Sequence, residues 1–150
     1  MSKTLTLPIV GIENLSQYAV QEMINKRSGL VKRYVDSDYV YPYTSGCDGE
    51  YSTGWEHYIA EEDGEGIMQL HSPIIAGCES LFAKQLAGIV NEYGYEKVVL
   101  VDCVENVPAE VAERSEEEPF VRLLREAMPN VKIDHEREPV SEMAVRLEKT

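Results

Sequence analysis

What this chain lacks narrows its function before its folding is considered. Only three of its 150 residues are cysteines, Cys47, Cys78 and Cys103. That odd number, with no C-x-x-C pair, does not make a disulfide framework. The three histidines, His57, His71 and His135, show no ligand spacing, so no zinc or other metal site is expected. No apolar run approaches the ~18 residues of a membrane span, and Val98-Val-Leu-Val101 is cut short by Asp102. The start, Met1-Ser-Lys-Thr-Leu5, has no apolar stretch or cleavage site of an export signal. Reduced thiols without a leader suit the cytoplasm or the nucleus. No G-x-G-x-x-G follows a leading strand and no P-loop exists, so no nucleotide cofactor is expected.

Cations are the other deficit. Fourteen Lys and Arg face twenty-seven Asp and Glu, for a net charge of −13. Phosphate contacts need clustered cations, which argues against nucleic acid and against an anionic membrane surface as partners. The deficit is uneven. No Lys or Arg occurs between Arg33 and Lys84, an interval holding Asp36, Asp38, Asp48, Glu50, Glu56, Glu61, Glu62, Asp63, Glu65 and Glu79. Such a stretch is either a solvated surface or a face that meets a basic partner.

What is present reads as one α/β domain over residues 1–150, with 43% hydrophobic and 27% charged residues. Thr4–Ile12 reads as a strand with Pro8 near its start or at a bulge. Asn14 and Gln17 make a capping-box pattern for a helix ending before Gly29, and Leu30–Val35 is a second strand. Thr44–Gly54 is rich in turn formers and reads as a long loop. Trp55–Ala60 and Gly66–His71, around Asp63-Gly64, read as a hairpin with a five-residue loop. Phe82, Leu86, Ile89, Val90 and Tyr93 form a helical stripe stopped by Gly94. Lys97–Cys103 lacks alternation, as expected of a central strand covered on both faces. From about residue 105 the chain turns acidic and helical, with an amphipathic helix over Pro119–Met128, a short edge strand over Val131–Ile133 and a terminal helix over Pro139–Leu147. Together these predict a mostly parallel sheet with helices on both faces.

Little chemistry is on offer. Cys78 precedes a helix, where a thiol can be activated, but no histidine has an assignable pairing role. Asp36-Ser-Asp38 lacks the glycine and distal glutamate of a calcium loop. Tyr39, Tyr41, Tyr43, Tyr51, Trp55 and Tyr58 form an aromatic cluster that serves either the core or a protein contact. The contact reading takes Tyr39, Tyr41, Tyr43 and Trp55 as partner-binding, with Glu61, Glu62 and Asp63 steering a basic partner.

The order of segments resembles the proteasome assembly chaperone 2 family. Leu7-Pro-Ile-Val-Gly-Ile-Glu-Asn-Leu-Ser-Gln-Tyr-Ala19 is similar to its opening strand and helix start, with Asn14 and Gln17 in place. Leu30–Tyr34 with Ser37 and Pro42 resembles its second strand and following loop, and Met68–Ile74 its central strand and corner, with His71 where a cation is usual. Pro119–Leu124 is similar to its "T-P-F-R-Y-L" segment. The resemblance implies a nucleoside-phosphorylase-like α/β/α fold without that active site. It implies no catalysis and no cofactor, a related proteasome assembly chaperone 1-like partner, and proteasome α subunits held while the α-ring assembles. The hydrophobic-Tyr-any-residue tail of some members is not expected here, because position 149 is Lys. A small enzyme on a phosphorylase-like or hydrolase-like fold, using Cys78 or an acid, is the alternative.

Overall fold

The computed structural model describes residues 3–10, 14–47, 50–104 and 119–139. In chain order the elements are β1 (Thr4–Pro8), α1 (Leu15–Asn25), β2 (Leu30–Tyr34), β3 (Thr44–Cys47), β4 (Glu50–Thr53), β5 (Trp55–Ala60), β6 (Gly66–Leu70), α2 (Glu79–Tyr93), β7 (Lys97–Val104), α3 (Pro119–Ala127) and β8 (Lys132–Pro139). Six strands form one sheet in the order β2-β5-β6-β1-β7-β8. The pairs β6–β1, β1–β7 and β7–β8 are parallel, while β2–β5 and β5–β6 are antiparallel. The mostly parallel α/β sheet expected from the sequence is present.

Side chains alternate across each strand, so the two faces carry different cores. Leu5, Leu7, Met68, Leu70, Val98, Leu100 and Ile133 face one way and pack on Phe82, Leu86 and Val90 of α2 and on Val121 and Leu124 of α3. Ile67, Val101 and Cys103 face the other way and pack on Ala19, Val20 and Ile24 of α1. Strand β7 therefore needs apolar side chains at nearly every position, which is why its sequence shows no period of two. Helix α1 packs over β6, β1 and β7, with Leu30 of β2 and Tyr58 of β5 at the margin of its apolar cluster.

Four expectations need correction. Pro8 ends β1 rather than beginning it, at a point where the pairing to β6 has already stopped at Thr6. The missing N–H therefore breaks no ladder there. Asn14 precedes α1 in a left-handed conformation (φ 58°) and makes no cap. Its side chain instead accepts from Gln17 Nε2 at 3.4 Å. Residues 44–53 are not a loop but the hairpin β3–β4. Its register runs from Thr44 opposite Thr53 to Cys47 opposite Glu50. Thr44, Ser45, Gly46 and Tyr51 are all exposed, so no apolar alternation announces the strands. Finally, the edge strand β8 runs eight residues, not three. The acidic segment 105–118 and the expected terminal helix beyond Pro139 lie outside the described residues.

The strand–helix–strand units β1–α1–β2 and β6–α2–β7 both have other strands inserted. β1 and β2 run parallel with β5 and β6 between them, and β6 and β7 run parallel with β1 between them.

Candidate binding groove

Beyond the margin of the α1 cluster, the same face of β2 and β5 carries polar chemistry. Alternation along β5 sends Trp55 and His57 toward α2, and Glu56 and Tyr58 to the opposite side. Glu56 is fully buried. A buried carboxylate must be neutralised or fully hydrogen-bonded, and this one accepts two bonds on each oxygen. Oε2 takes Lys32 Nζ at 2.9 Å and the Thr53 amide at 3.1 Å. Oε1 takes His71 Nε2 at 2.8 Å and the Tyr58 hydroxyl at 3.1 Å. Burial pushes the Glu56 carboxyl upward, but the bonds from His71, Lys32 and Thr53 prevail and hold it below the ordinary glutamate range. Burial opposes the charge on Lys32 too, and the Glu56 carboxylate overcomes it, raising the lysine. Burial, then the same negative charge, pushes the Tyr58 hydroxyl up to about 12.

This buried carboxylate fixes surface aromatics on two sides. Lys32 Nζ lies 5.0 Å from the Tyr34 ring centre, a cation–π contact. It also donates to the Tyr51 carbonyl, which the Tyr34 hydroxyl reaches at 2.9 Å. His71 stacks on Tyr43 with ring centres 5.8 Å apart and planes 17° from parallel. The β3–β4 hairpin is thereby tied to the sheet through Glu56.

A groove of about 400 Å³ opens at the base of the hairpin, lined by segments 34–37, 40–44 and 53–55. Its walls are well anchored. The Tyr41 amide donates to the Pro73 carbonyl and the Tyr41 carbonyl accepts from Ser72 Oγ at 2.7 Å. Gly54 is required here, because a Cβ would fall 2.5 Å from Ser72 Oγ and 3.0 Å from the Tyr41 carbonyl. Gln85 of α2 holds the other wall, donating to the Asp36 carbonyl at 2.8 Å and accepting from Ser37 Oγ at 2.7 Å. Tyr43 also borders a smaller polar pocket between α1 and β6, where Gln69 donates to the Gln17 carbonyl at 2.8 Å.

The structure divides the residues singled out from the sequence. Tyr41 and Tyr43 are exposed in the groove. Tyr39 is half-buried against the core, and its carbonyl accepts from the Ile75 amide. Trp55 is 1% exposed, which corrects its reading as a contact residue. Its ring packs 4.5 Å from Phe82, and its indole N–H points to Met68 Sδ at 3.3 Å. Glu61, Glu62 and Asp63 sit at the turn between β5 and β6. There the Glu61 amide bonds the Gly29 carbonyl at the start of β2, whereas Tyr34 at the far end of β2 pairs with Glu56. Acids and tyrosines thus occupy opposite ends of β5, and Asp63 is already paired with Arg27 at 2.7 Å.

The network of Lys32, Glu56 and His71 has no motif in the sequence. Its one signal there is the alternation of Trp55-Glu-His-Tyr58, which puts a carboxylate inside a strand. Cys78 stands at the N-cap position of α2 without a side-chain cap bond, while His57 pairs with Tyr95, His71 with Glu56 and His135 with Asp102. Among the described residues, no group of His, Cys, Asp and Glu could hold a metal ion.

No family model and no curated protein matches the chain. Solved structures that share its fold include proteasome-assembly chaperone homologues. PbaA of Pyrococcus furiosus, an archaeal homolog of proteasome-assembly chaperone, superposes with a TM-score of 0.68 at 12% identity, over 99% of this chain and 82% of its own. A proteasome-assembly chaperone homologue of Mycobacterium tuberculosis gives 0.63 at 10% identity, over 97% and 83%. A PAC2 family protein of Streptomyces avermitilis gives 0.61 at 15% identity, over 98% and 85%. At such identities the likeness is one of fold.

Proposed function

We propose that this chain is a non-catalytic assembly chaperone that pairs with a related subunit and holds proteasome α subunits during α-ring assembly. The observation that carries the reading is the superposition of 99% of the chain on PbaA. The ordered family-like segments from Leu7 to Leu124 support it, as does the engagement of all three histidines away from Cys78. A binding protein needs a surface, and the tyrosine-walled groove supplies one with amphipathic rings and few cations. The site of action under this reading is the cytoplasm or nucleus.

The test is affinity capture of the full chain from its native host, followed by intact mass spectrometry of the recovered complex. A 1:1 companion of related fold together with α subunits supports the reading. A monomer recovered without either refutes it.

A further inference from the structure

We propose that the groove at the base of the β3–β4 hairpin is a site for an extended, proline-containing protein segment carrying a lysine or arginine. The inference deepens the binding-protein reading. It rests on that reading for where the segment comes from, not for the binding itself.

The walls set the backbone conformation that fits. Tyr34, Tyr41 and Tyr43 are 53%, 47% and 40% exposed, so three aromatic faces are presented around one open trough. Among the described residues, no hydrogen bond uses the hydroxyl of Tyr41 or Tyr43. A polyproline II segment has no internal hydrogen bonds, and its prolines have no N–H. It therefore brings flat apolar rings to stack and bare carbonyls that need donors. Tyrosines supply both complements, as aromatic grooves for such segments do. A β-strand would need free backbone partners instead, and the amides of Val35 and Tyr41 are already spent on the Trp55 and Pro73 carbonyls.

Charge sets the side chain. Among the described residues, the groove lining contains no Lys or Arg, and Asp36 on its wall has no ion pair. Lys32, which lies over the ring of Tyr34, is neutralised by Glu56 at 2.9 Å. With a net charge of −13 on the chain, a basic residue flanking the prolines is attracted and an acidic one repelled.

Rigidity completes the site. Glu56 holds Tyr34 through Lys32 and Tyr43 through His71. It touches no occupant of the groove and is a positioning residue. Pre-set rings reduce the ordering that binding would otherwise require.

The experiment is fluorescence anisotropy on the full chain with a labelled ten-residue peptide of proline and leucine flanked by arginine. Two further peptides replace its prolines by alanine or its arginine by glutamate. Saturable binding is expected for the first peptide only, weakened at least tenfold by Tyr41→Ala and a few-fold by Asp36→Asn. The Asp36→Asn effect should disappear for a peptide with neutral glutamine in place of arginine. Glu56→Gln should weaken the first peptide several-fold while urea unfolding shows the variant still folded at the assay temperature. Equal binding of all three peptides, or none at millimolar concentration, overturns the proposal. If the peptide fails while native capture still yields the companion and α subunits, the groove assignment falls and the chaperone reading stands. If the peptide binds while capture returns a lone monomer, the groove assignment stands and the chaperone reading falls.

Discussion

Acid should loosen this fold through one buried imidazole. His57 is 2% exposed, and its Nε2 lies 2.7 Å from the Tyr95 hydroxyl. The Tyr93 ring meets it nearly edge-on, with centres 4.8 Å apart. Burial first, and then the positive charge of Arg33 on the paired strand, lowers its pKa from 6.5 to about 4. The unfolded chain takes up this proton near pH 6.5, and the folded chain only near pH 4. Between those values the unfolded state binds more protons, so stability falls as pH falls. The loss begins at the unfolded value and is complete below the folded one. At ~1.36 kcal/mol per pKa unit, the step from pH 7.5 to pH 4.5 removes roughly 2.5 kcal/mol. Urea unfolding of the wild type and of His57→Gln at pH 7.5, 6.5, 5.5 and 4.5 isolates it, because glutamine can still bond Tyr95 but does not titrate. The free-energy gap between the two proteins should shift by that amount across the series, the variant losing less. Parallel pH profiles would show that His57 is not held neutral by the fold.

The same packing sets the outcome of other substitutions. Gly66→Ala would place a Cβ 2.0 Å from the Tyr95 hydroxyl and 3.0 Å from His57 Nε2, and should cost about 2–3 kcal/mol in thermal or urea unfolding. Gly88→Ala, on the exposed side of α2 with nothing within 4 Å, should be neutral or stabilise by up to ~1 kcal/mol. Glu56→Gln should destabilise by about 2 kcal/mol near neutral pH. Since the Glu56 carboxyl is held low in the folded chain, its contribution is present above the unfolded value near 4.5 and is lost as pH falls through the folded one. The wild-type and variant stabilities should therefore converge in acid. Glu61→Lys with Glu62→Lys should slow partner association only at low ionic strength, in stopped-flow mixing, without changing the dissociation rate. An unchanged association rate would remove these acids from any part in docking.

The parts of the fold that were legible are those in which one residue pattern admits one placement. The unbroken Val98–Val101 run required a strand covered on both faces, and the stripe ending at Gly94 required a helix docked along one side. The hairpin β3–β4 was not legible because both of its faces meet solvent, which leaves composition as its only trace. Neighbouring aromatics misled for a geometric reason. Trp55 and Tyr58 are three residues apart on one strand, so alternation sends them to opposite faces of the sheet. Only the strand order shows that Trp55 enters the core while Tyr58 meets Glu56. The binding groove depends on contacts between residues as distant as Lys32, Glu56 and His71, and no local window of sequence holds all three.

Whether a protein partner occupies the tyrosine groove can be read directly in the native host. A photo-crosslinking amino acid is placed at Tyr41, and separately at Glu61 as a distant exposed control. The groove position should capture a proteasome α subunit or a related chaperone, and the control should not. Crosslinks of equal yield from both positions, or none from position 41, would contradict a groove-bound partner.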